Sequence, residues 1–401
     1  MTSKEDYAVQ LQELGRLADG LEGQTSELQT AAALDAGFPL KVTAMEVKLA
    51  VQHLRTMAEE IDWVVTGRPY GTVGAILPYD APAVMLARLG GAALLTRNRL
   101  RFSFSSHTPR SAALLAAVCE SFEALEPVTG QDNREFGRSC VDDERVRVLF
   151  ISGASAVGEA YRSKHPAFDK LFFAGPGGMP AAVVFEDASP QEASRFIARR
   201  AFINGGQYCT TLKKALIHRT IFERIRDQIL ELTQHLQVGD PFDPQTDIGP
   251  IRVARTRVIL KEALEQCSQA HLLAGSIRGE TVLPLVLEMG EGEIPDLELF
   301  GPFLLLKPFD DHRAVMRELI QTRYGFLVAF FGSPTEEVRR LFHTHFGMVY
   351  DNPDFYFTPL RLPFGGKKAS GWILERQGDS WLERDGAFLY SKELVQKSTG
   401  R

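Results

Sequence analysis

Apolar and polar residues follow one another in this chain in a way that predicts helices first and strands alternating with helices afterwards. Within residues 4–62, apolar side chains recur at helical spacing, as at Leu11, Leu14 and Leu17. After Trp63, short apolar runs typical of strands alternate with longer amphipathic stretches. This alternation predicts an α/β protein in which crossover helices connect parallel strands.

The expected elements fill both halves of the chain. Strands are expected at residues 71–78, 99–105, 145–153, 181–187, 213–219 and 300–309, with a terminal strand at 387–395. Helices are expected at residues 83–95, 111–125, 189–203, 220–236 and 255–270. A turn region rich in Pro, Asp and Gly lies between the last two of these helices, at 239–250.

Length and charge narrow the class of protein. A chain of 401 residues is too long for one ordinary core, so we expect two domains. The formal net charge of -6 gives no electrostatic reason to expect nucleic acid or an anionic membrane as a partner.

The cysteines and the N-terminus indicate a cytoplasmic protein. The four cysteines are far apart and form no CxxC pair, so we expect neither a disulfide framework nor a metal site. The first residues are polar and contain no apolar signal core. Asp80 and Arg88 interrupt the apolar stretch at 71–96, so we do not expect this stretch to form a transmembrane helix.

One short segment, FINGGQYCTT at 202–211, has the composition of a nucleophile loop. Asn204 and the two glycines after it allow the backbone to turn sharply and to approach a ligand closely. A thiolate at Cys209 could attack a carbonyl carbon, and the backbone N–H of the same residue could face the resulting oxyanion.

This segment resembles the catalytic-cysteine motif of the aldehyde dehydrogenase superfamily. Further segments resemble motifs of that family in the same order along the chain, covering about residues 64–395. They are GTVGAILPYDAP (71–82), NRLRFSFSSHTP (98–109), ISGASAVG (151–158), GDPFDPQTDIGP (239–250), ELFGP (298–302) and PFGGKKASG (363–371).

The resemblance implies an α/β fold with a Rossmann-like coenzyme domain and an α/β catalytic domain. We expect the coenzyme domain, including the N-terminal helices, at residues 1–175 and the catalytic domain at 176–375. Residues 376–401 are expected to form an oligomerisation strand, because members of this family generally form dimers or tetramers through such an arm, and a strand also needs a partner for its edge.

The resemblance also implies the reaction, in which NAD or NADP serves as coenzyme. Cys209 would form a thiohemiacetal with an aldehyde and then a thioester, within a catalytic set that includes Asn204 and Asp80. Glu298 would hold the nicotinamide ribose, and Phe300 would pack beside it. The expected coenzyme-binding residues are Pro78, Ser103, Gly153, Ala154, Val157, Gly158, Glu298 and Phe300.

The sequence departs from the family pattern at four places. The oxyanion-hole asparagine of the family falls at Asp80, whose ionised carboxylate could only accept hydrogen bonds. The general-base glutamate falls at Gly175. The lysine and glutamate that commonly hold the adenosine ribose fall at Ser103 and Ser106, and a frequent serine of the pyrophosphate turn is Ala154.

These departures leave several functions open. GQYC and ELFGP resemble motifs of the family members that hydrolyse the thioester. AGPGGMP at 174–180 resembles a segment of the members that transfer the acyl group to coenzyme A, with an acyl thioester as product or substrate. A catalytically impaired scaffold protein is a third possibility, and a cofactor-free use of Cys209 is a distant fourth.

Two groups of side chains are ambiguous from sequence alone. The aromatic run at Phe355, Tyr356 and Phe357 indicates either a substrate-pocket wall, favouring an apolar or aromatic substrate, or a packed loop. Four basic residues are expected on solvated faces, namely Arg199, Arg200, Lys213 and Lys214.

Overall fold

The computed structural model describes residues 4–61, 68–164, 170–175, 177–290, 292–360, 364–385 and 396–397. Two seven-stranded sheets contain most of the strands in these residues, and helices cover their faces. The α/β class expected from sequence is confirmed.

The longer helices have the following bounds. They are α1 (Ala8–Gly23), α2 (Thr25–Ala36), α3 (Leu40–Thr56), α4 (Pro82–Leu95), α5 (Pro109–Cys119), α6 (Asn133–Asp142), α7 (Ser155–Arg162), α8 (Pro190–Phe202), α9 (Arg219–Gln234), α10 (Ala254–Gln266), α11 (His312–Gln321) and α12 (Glu336–His345).

The strands are numbered in chain order. They are β1 (Arg68–Pro69), β2 (Thr72–Leu77), β3 (Arg99–Phe104), β4 (Leu125–Pro127), β5 (Val146–Ser152), β6 (Leu171–Gly175), β7 (Ala181–Val184), β8 (Lys214–His218), β9 (His271–Arg278), β10 (Thr281–Glu288), β11 (Phe303–Phe309), β12 (Tyr324–Gly325), β13 (Leu327–Phe331), β14 (Met348–Asp351), β15 (Lys367–Lys368), β16 (Trp372–Gln377), β17 (Ser380–Asp385) and β18 (Gln396–Lys397).

The first sheet has the order β17-β16-β6-β5-β2-β3-β4. Strands β6, β5, β2, β3 and β4 run parallel, and β16 and β17 are added antiparallel. One core joins this sheet to α1, α3 and α4 through buried residues such as Leu17, Leu54, Leu86 and Phe102. The N-terminal helices predicted at 4–62 are therefore part of the core of the first sheet over the described residues.

The second sheet has the order β14-β13-β7-β8-β11-β10-β9 and is parallel except for the β9–β10 pair. Its central strands β13, β7, β8 and β11 are largely buried on both faces, which explains their nearly continuous apolar sequences. Phe303 and Phe330 are fully buried there, and Leu304 and Ala329 belong to the core on the other face.

The candidate site lies where the two sheets face each other. The carboxyl ends of β2, β5 and β6 lead to Pro78, Gly153 and Gly177. Opposite them are the loops that precede β8 and β11, carrying Cys209 and Glu298. Ligands of open parallel sheets bind beyond the carboxyl ends of the strands, so this cleft is the expected place for a ligand.

The structure differs from the sequence prediction in several elements. The helix predicted at 111–125 ends at Cys119, and a turn then leads into β4, which was not predicted. Strand β6 was also not predicted, and neither were strands β9, β10, β13 and β14 of the second sheet. The strand predicted at 387–395 lies outside the described residues.

The C-terminal part of the described chain returns to the first sheet. Strand β16 pairs with β6, and β17 pairs with β16. The expected boundary between residues 375 and 376 falls inside β16, so the expected 176–375 and 376–401 segments share one strand. Among the described helices, none is both long and apolar enough to cross a membrane.

Candidate active site

The loop that carries Cys209 makes a tight turn that its sequence allows. Asn204, Gly205 and Gly206 have φ of 51°, 59° and 67°, a left-handed run that glycine and asparagine tolerate best. A Cβ at Gly206 would lie 2.1 Å from the carbonyl oxygen of Gly301, so only glycine fits there. The turn therefore brings the loop that carries Cys209 against the loop that precedes β11.

A buried lysine ties the same two loops together. The Nζ of Lys213 donates hydrogen bonds to the carbonyl oxygens of Gly206 at 2.7 Å and Gly301 at 2.6 Å. Burial lowers the pKa of Lys213 to about 7. Lys213 and Lys214 were expected on solvated faces; this prediction is wrong, since both are buried.

The backbone N–H of Cys209 points at a carboxylate. It donates a hydrogen bond to Oδ2 of Asp80 at 3.3 Å. Burial raises the pKa of the Cys209 thiol, and the Asp80 charge raises it further. Arg88 and Arg200 lower the pKa of the same thiol through their positive charges. In this state the thiol is protonated and the backbone N–H of Cys209 is occupied by Asp80.

Asp80 is itself buried, with 4% of its surface exposed. Burial raises the pKa of its carboxyl to about 6, although hydrogen bonds from backbone N–H groups, that of Cys209 foremost, oppose the shift. The carboxyl therefore changes its protonation state within the range in which enzymes work. A protonated Asp80 could donate a hydrogen bond to an oxyanion, which the ionised form cannot do.

A second buried carboxyl lies behind Asp80. Oε1 of Glu46 accepts hydrogen bonds from the backbone N–H groups of Ala83 at 2.9 Å and Val84 at 3.4 Å, in the first turn of α4. Burial raises the pKa of Glu46 to about 8, and the charge of Asp80 also raises it. Glu46 thus links α3 to the helix that follows the Asp80 loop.

Arg200 joins the cysteine loop to the aromatic loop at 355–358. Its guanidinium donates to the carbonyl oxygens of Thr210 and Tyr356, both at 2.9 Å, and to Oγ1 of Thr358 at 3.0 Å. Only 2% of Arg200 is exposed, so its expected place on a solvated face is also wrong. Arg200 therefore fixes the backbone on one side of Cys209.

A cavity of about 1630 Å³ runs from Cys209 to the helix that follows β5. Most of the site residues predicted from sequence line it, namely Pro78, Asp80, Gly153, Ala154, Val157, Gly175, Cys209, Glu298 and Phe300. Ser106, one of the two positions expected near the adenosine ribose, lines it as well.

Three predicted site residues are not in the cavity lining. Ser103 is buried, and its hydroxyl donates to Oδ1 of Asn133 at 2.7 Å. Gly158 packs α7 against Trp372, whose ring would be 3.0 Å from a Cβ at that position. Asn204 is buried, and its side-chain amide makes no hydrogen bond with any described residue.

The N-terminus of α7 already holds an anion. The backbone N–H of Ser155 donates to both carboxylate oxygens of Glu298, at 3.0 and 3.1 Å. Helix N-termini attract anions because their first N–H groups have no partner within the helix. Glu298 must leave this position before a phosphate group can bind there.

The aromatic run divides between two environments. Phe355 packs in the core against Phe196 and Tyr350, with ring centroids 5.7 and 5.0 Å apart. Phe357 lines the cavity near Tyr208. The packed-loop interpretation therefore describes Phe355, and the pocket-wall interpretation describes Phe357.

Sequence reasoning missed the buried charges that surround Cys209. Arg88 lines the cavity with 4% of its surface exposed. The sequence could have indicated its burial, since Arg88 is the one charged residue in the 14-residue apolar helix α4. Glu46 had no comparable signal, because its burial depends on the packing of α3 against α4.

Comparison with known proteins identifies the family of this architecture. A model of the aldehyde dehydrogenase family matches residues 6–384. A lactaldehyde dehydrogenase from Methanococcus vannielii is 26% identical over 89% of this chain and 82% of its own length. A 3-sulfolactaldehyde dehydrogenase from Priestia aryabhattai is also 26% identical, over 89% of this chain and 80% of its own length.

Solved structures share the fold at lower identity. An NAD-dependent aldehyde dehydrogenase from Sinorhizobium meliloti matches with a TM-score of 0.83 and 21% identity, covering 94% of this chain and 82% of its own. An NADP-dependent enzyme from E. coli matches with a TM-score of 0.81 and 23% identity, covering 94% and 85%.

Proposed function

The chain belongs to the aldehyde dehydrogenase family and is an oxidoreductase of aldehydes; we propose that Cys209 carries the reaction and that NAD or NADP is the coenzyme. The observation that supports this most directly is the meeting of Cys209, Asp80 and Glu298 around one cavity. These residues come from three distant parts of the chain, and the fold places them together.

The residues of the cavity fit a nicotinamide dinucleotide. Its volume of about 1630 Å³ exceeds the roughly 300–1,000 Å³ of ordinary small-ligand pockets, so it has room for a dinucleotide and an aldehyde. At Gly153 no described heavy atom lies within 4 Å of a Cβ position, which leaves space for a ligand. Once Glu298 leaves the N–H of Ser155, Pro78, Ala154 and Val157 would line the dinucleotide, with Glu298 and Phe300 beside the nicotinamide ribose.

The chain's own part in the reaction begins at Cys209. Its Sγ would attack the aldehyde carbon, forming a C–S bond while the carbonyl oxygen becomes an oxyanion. Arg88 and Arg200 favour the thiolate needed for this attack. A bound nicotinamide supplies the hydride acceptor through which the thiohemiacetal on Cys209 becomes a thioester.

Asp80 controls what stabilises the oxyanion. While it is ionised, its carboxylate accepts the Cys209 N–H at 3.3 Å and would repel a negative oxygen. Once protonated, it would accept that N–H less strongly and could donate a hydrogen bond of its own. We therefore propose that Asp80 supports catalysis when its carboxyl is protonated and opposes it when the carboxyl is ionised.

The thioester has two possible acceptors. Gly175 lines the cavity where the family has a glutamate that activates water, and glycine supplies no carboxylate at that position. This favours a second candidate reaction, transfer of the acyl group to the thiol of coenzyme A, which needs no base at position 175.

The names of the relatives suggest small polar aldehydes as first substrates to try. Lactaldehyde and 3-sulfolactaldehyde are the substrates named for the two relatives above. Binding of NAD and NADP should be measured first by calorimetry, followed by oxidation of these aldehydes with and without coenzyme A. We expect micromolar to low-millimolar binding of one coenzyme and aldehyde-dependent reduction of it.

Cys209→Ser is the variant that tests the nucleophile. We expect it to bind coenzyme normally and to lose detectable aldehyde oxidation. Full activity of this variant would overturn the assignment of Cys209. If the native protein bound neither coenzyme, the proposed reaction would be wrong and a scaffold role would take its place.

We further propose a cytoplasmic homo-oligomer, with the chain divided near residue 175. The net charge of -6 and four free thiols support a reducing, aqueous compartment. Strand β9 forms an edge of the second sheet, and Leu272, Leu273 and Leu283 are exposed on the β9–β10 hairpin. Light scattering after size exclusion would report the mass; a monomer at micromolar concentration would contradict the oligomer.

A further inference from the structure

Lys213 connects two loops that border the cavity, which we call the cysteine loop (204–211) and the carboxylate loop (298–302). Its Nζ donates to the carbonyl oxygen of Gly206 in the first loop at 2.7 Å and to that of Gly301 in the second at 2.6 Å. The lysine is fully buried. A single amine therefore holds the two loops at a fixed separation.

The backbone of Lys213 is itself fixed within the second sheet. Its N–H donates to the carbonyl oxygen of Pro180, just before β7, at 2.9 Å, and its carbonyl oxygen accepts the N–H of Leu305 in β11 at 2.9 Å. The amine thus extends from a backbone that is bonded on both sides. Both loops are therefore held against the same rigid element.

Each loop also makes a contact across the cavity. The N–H of Cys209 donates to Asp80 at 3.3 Å, and the carboxylate of Glu298 accepts the N–H of Ser155 at 3.0 and 3.1 Å. Asp80 and Ser155 follow strands β2 and β5 of the first sheet. The two loops bridge the cavity side by side, and Lys213 joins them at the end that belongs to the second sheet.

The amine can hold both loops with or without a charge. Burial lowers the pKa of Lys213 to about 7, and both of its acceptors are neutral carbonyl groups. An ammonium group has three N–H donors and a neutral amine still has two, which is enough for both carbonyl oxygens. A neutral amine also costs less to bury than a charged one. The contact therefore contributes position and does not depend on charge.

The two carbonyl oxygens keep other donors when the amine is removed. That of Gly206 also accepts the N–H of Gly301 at 2.9 Å and the hydroxyl of Thr211 at 3.0 Å. That of Gly301 also accepts the N–H of Phe303 at 2.9 Å. Loss of the amine would leave one direct bond between the loops and no orphaned carbonyl oxygen among these two, so we expect a variant at Lys213 to fold.

We propose that Lys213 is a positioning residue, which sets the place of the carboxylate loop relative to Cys209 for hydride transfer. This proposal rests on the proposed function. Reacting groups must approach to roughly 3–3.5 Å, and a displacement of about 1 Å can slow a reaction about 100-fold. Since Glu298 and Phe300 are expected beside the nicotinamide ribose, the place of their loop determines where that ribose lies.

Lys214 is a matched control at the next position. It is also buried, and burial also lowers its pKa. Its Nζ lies 3.8 Å from Oε1 of Glu318 on α11, and Glu318 keeps an ion pair with Lys307 at 2.9 Å when Lys214 is removed. Lys214→Met therefore removes a similarly buried amine whose ionic partner belongs to α11.

Hydrogen exchange tests the contact without coenzyme or aldehyde. In Lys213→Met we expect backbone amides of the cysteine and carboxylate loops to exchange roughly tenfold faster than in the native protein, as mass spectrometry of peptides would show. Lys214→Met should exchange like the native protein in both loops. Unchanged exchange in a folded Lys213→Met protein would overturn the proposal.

Lys213→Gln is the second variant, for use if circular dichroism shows that Lys213→Met does not fold. Its amide leaves a polar group in the buried site. We expect the same pattern of changes with smaller magnitudes, and native behaviour of this variant in every assay would overturn the proposal.

A positioning role differs from a purely structural one in what survives the substitution. In Lys213→Met we expect the coenzyme Kd and the rate of Cys209 alkylation by iodoacetamide to stay within roughly threefold of native values. Single-turnover hydride transfer should fall roughly 10- to 100-fold. Lys214→Met should keep all three and lose only melting temperature. Comparable losses of all three in Lys213→Met, or an unchanged hydride-transfer rate, would contradict the positioning role.

Failure of this proposal is distinguishable from failure of the proposed function. Faster exchange of both loops in Lys213→Met alone, in a native protein that oxidises no aldehyde, would show that Lys213 joins the loops and that the proposed reaction is wrong. Aldehyde oxidation by the native protein, together with native exchange and native hydride transfer in Lys213→Met, would support the reaction and overturn the role of Lys213.

Discussion

At the scale of single residues, the contact between Asp80 and Cys209 bears most directly on the proposed reaction. A carboxylate occupies the backbone N–H that an oxyanion would need, at a donor–acceptor distance of 3.3 Å. The same charge raises the pKa of the thiol. One side chain therefore opposes both nucleophilic attack and stabilisation of its product while it is ionised.

Replacing Asp80 by Asn should relieve both effects. An amide can donate to the oxyanion and carries no charge, so we expect kcat for aldehyde oxidation to rise roughly 10- to 100-fold at pH 8. The native enzyme should lose the protonated form of Asp80 as pH rises through about 6, whereas Asp80→Asn has no such titration. Steady-state rates from pH 5 to 9 would show this.

Asp80→Leu is the matched control, because it removes the charge without adding a donor. We expect it to react faster with iodoacetamide than the native protein at equal pH, but to oxidise aldehydes more slowly than Asp80→Asn. If Asp80→Asn gained neither alkylation rate nor kcat, the inhibitory role of the carboxylate would be refuted.

Gly175 is the second residue at which a single change should alter the reaction. Among the described residues, a Cβ there would meet only the ring of Phe150, at 3.9 and 4.0 Å, which leaves room for a side chain. We expect Gly175→Glu to speed hydrolysis of the thioester by 10²-fold or more, in line with general-base catalysis. Release of the carboxylic acid without coenzyme A measures it.

Gly175→Gln fills the same space without a base. It should hydrolyse the thioester no faster than the native enzyme. If Gln and Glu gave equal rates, the added carboxylate would not be acting as a base and the prediction would fail.

At the scale of elements, helices α3 and α4 are joined by a carboxyl group that caps α4. Glu46 accepts two backbone N–H groups in the first turn of α4, where the N–H groups have no partner within the helix. Burial raises the pKa of this carboxyl to about 8. Folding therefore takes up a proton at Glu46 between its ordinary pKa near 4.5 and pH 8.

This proton uptake gives stability a defined pH dependence. The folded state binds more protons at Glu46 than the unfolded state, so the contribution of Glu46 to stability falls as pH rises from about 4.5 to 8. Glu46→Gln keeps a carbonyl acceptor and does not titrate. Relative to this variant, we expect the native melting temperature to decline from pH 5 to pH 8.

Glu27→Gln provides a surface control for the same measurement, since Glu27 is an exposed residue of α2. Its melting temperature should change with pH in the same way as that of the native protein. A native-to-Glu46→Gln difference that stays constant with pH would show that Glu46 does not take up a proton on folding.

At the scale of the whole molecule, the N-terminal helices contact the turn region at 239–250. The backbone N–H of Leu40 donates to the carbonyl oxygen of Pro241 at 3.1 Å, and Nζ of Lys41 lies 2.7 Å from Oδ1 of Asp247. Gly37 ends α2 with φ of 77°. The N-terminal helices that pack on the first sheet therefore also contact the turn region at 239–250, which belongs to the second half of the chain.

Gly37→Ala should weaken this contact. Its Cβ would stand 2.0 Å from the carbonyl oxygen of Pro250, and its left-handed backbone disfavours any side chain. We expect a loss of about 2 kcal/mol or more in the free energy of unfolding, seen as a lower melting temperature in calorimetry.

Gly23→Ala makes the same chemical change at the end of α1, where no described heavy atom lies within 4 Å of the new Cβ. It should be neutral or slightly stabilising, because alanine favours the helix. Similar melting temperatures for the two variants would show that the Gly37 contact does not contribute to stability.

Periodicity and composition determined the α/β class, the positions of most strands and helices of the first half, and the segment that carries Cys209. These properties follow from local spacing, which the sequence contains directly. The order of motifs along the chain likewise determined the family. Strand β16 was missed because its pairing partner β6 is distant in sequence. The β9–β10 hairpin pairs locally and was missed as well, since β9 has mostly exposed or half-buried residues and no clear apolar alternation.

Only the tertiary structure decided the electrostatics of the site. Arg88, Arg200 and Glu46 are charged in sequence and buried in the fold, and burial is a property of the packing between elements. The contact of Asp80 with the Cys209 N–H likewise joins residues 129 positions apart. The sequence determined which chemical groups are present; their protonation and their access to a substrate depend on the solvent that the folded chain excludes.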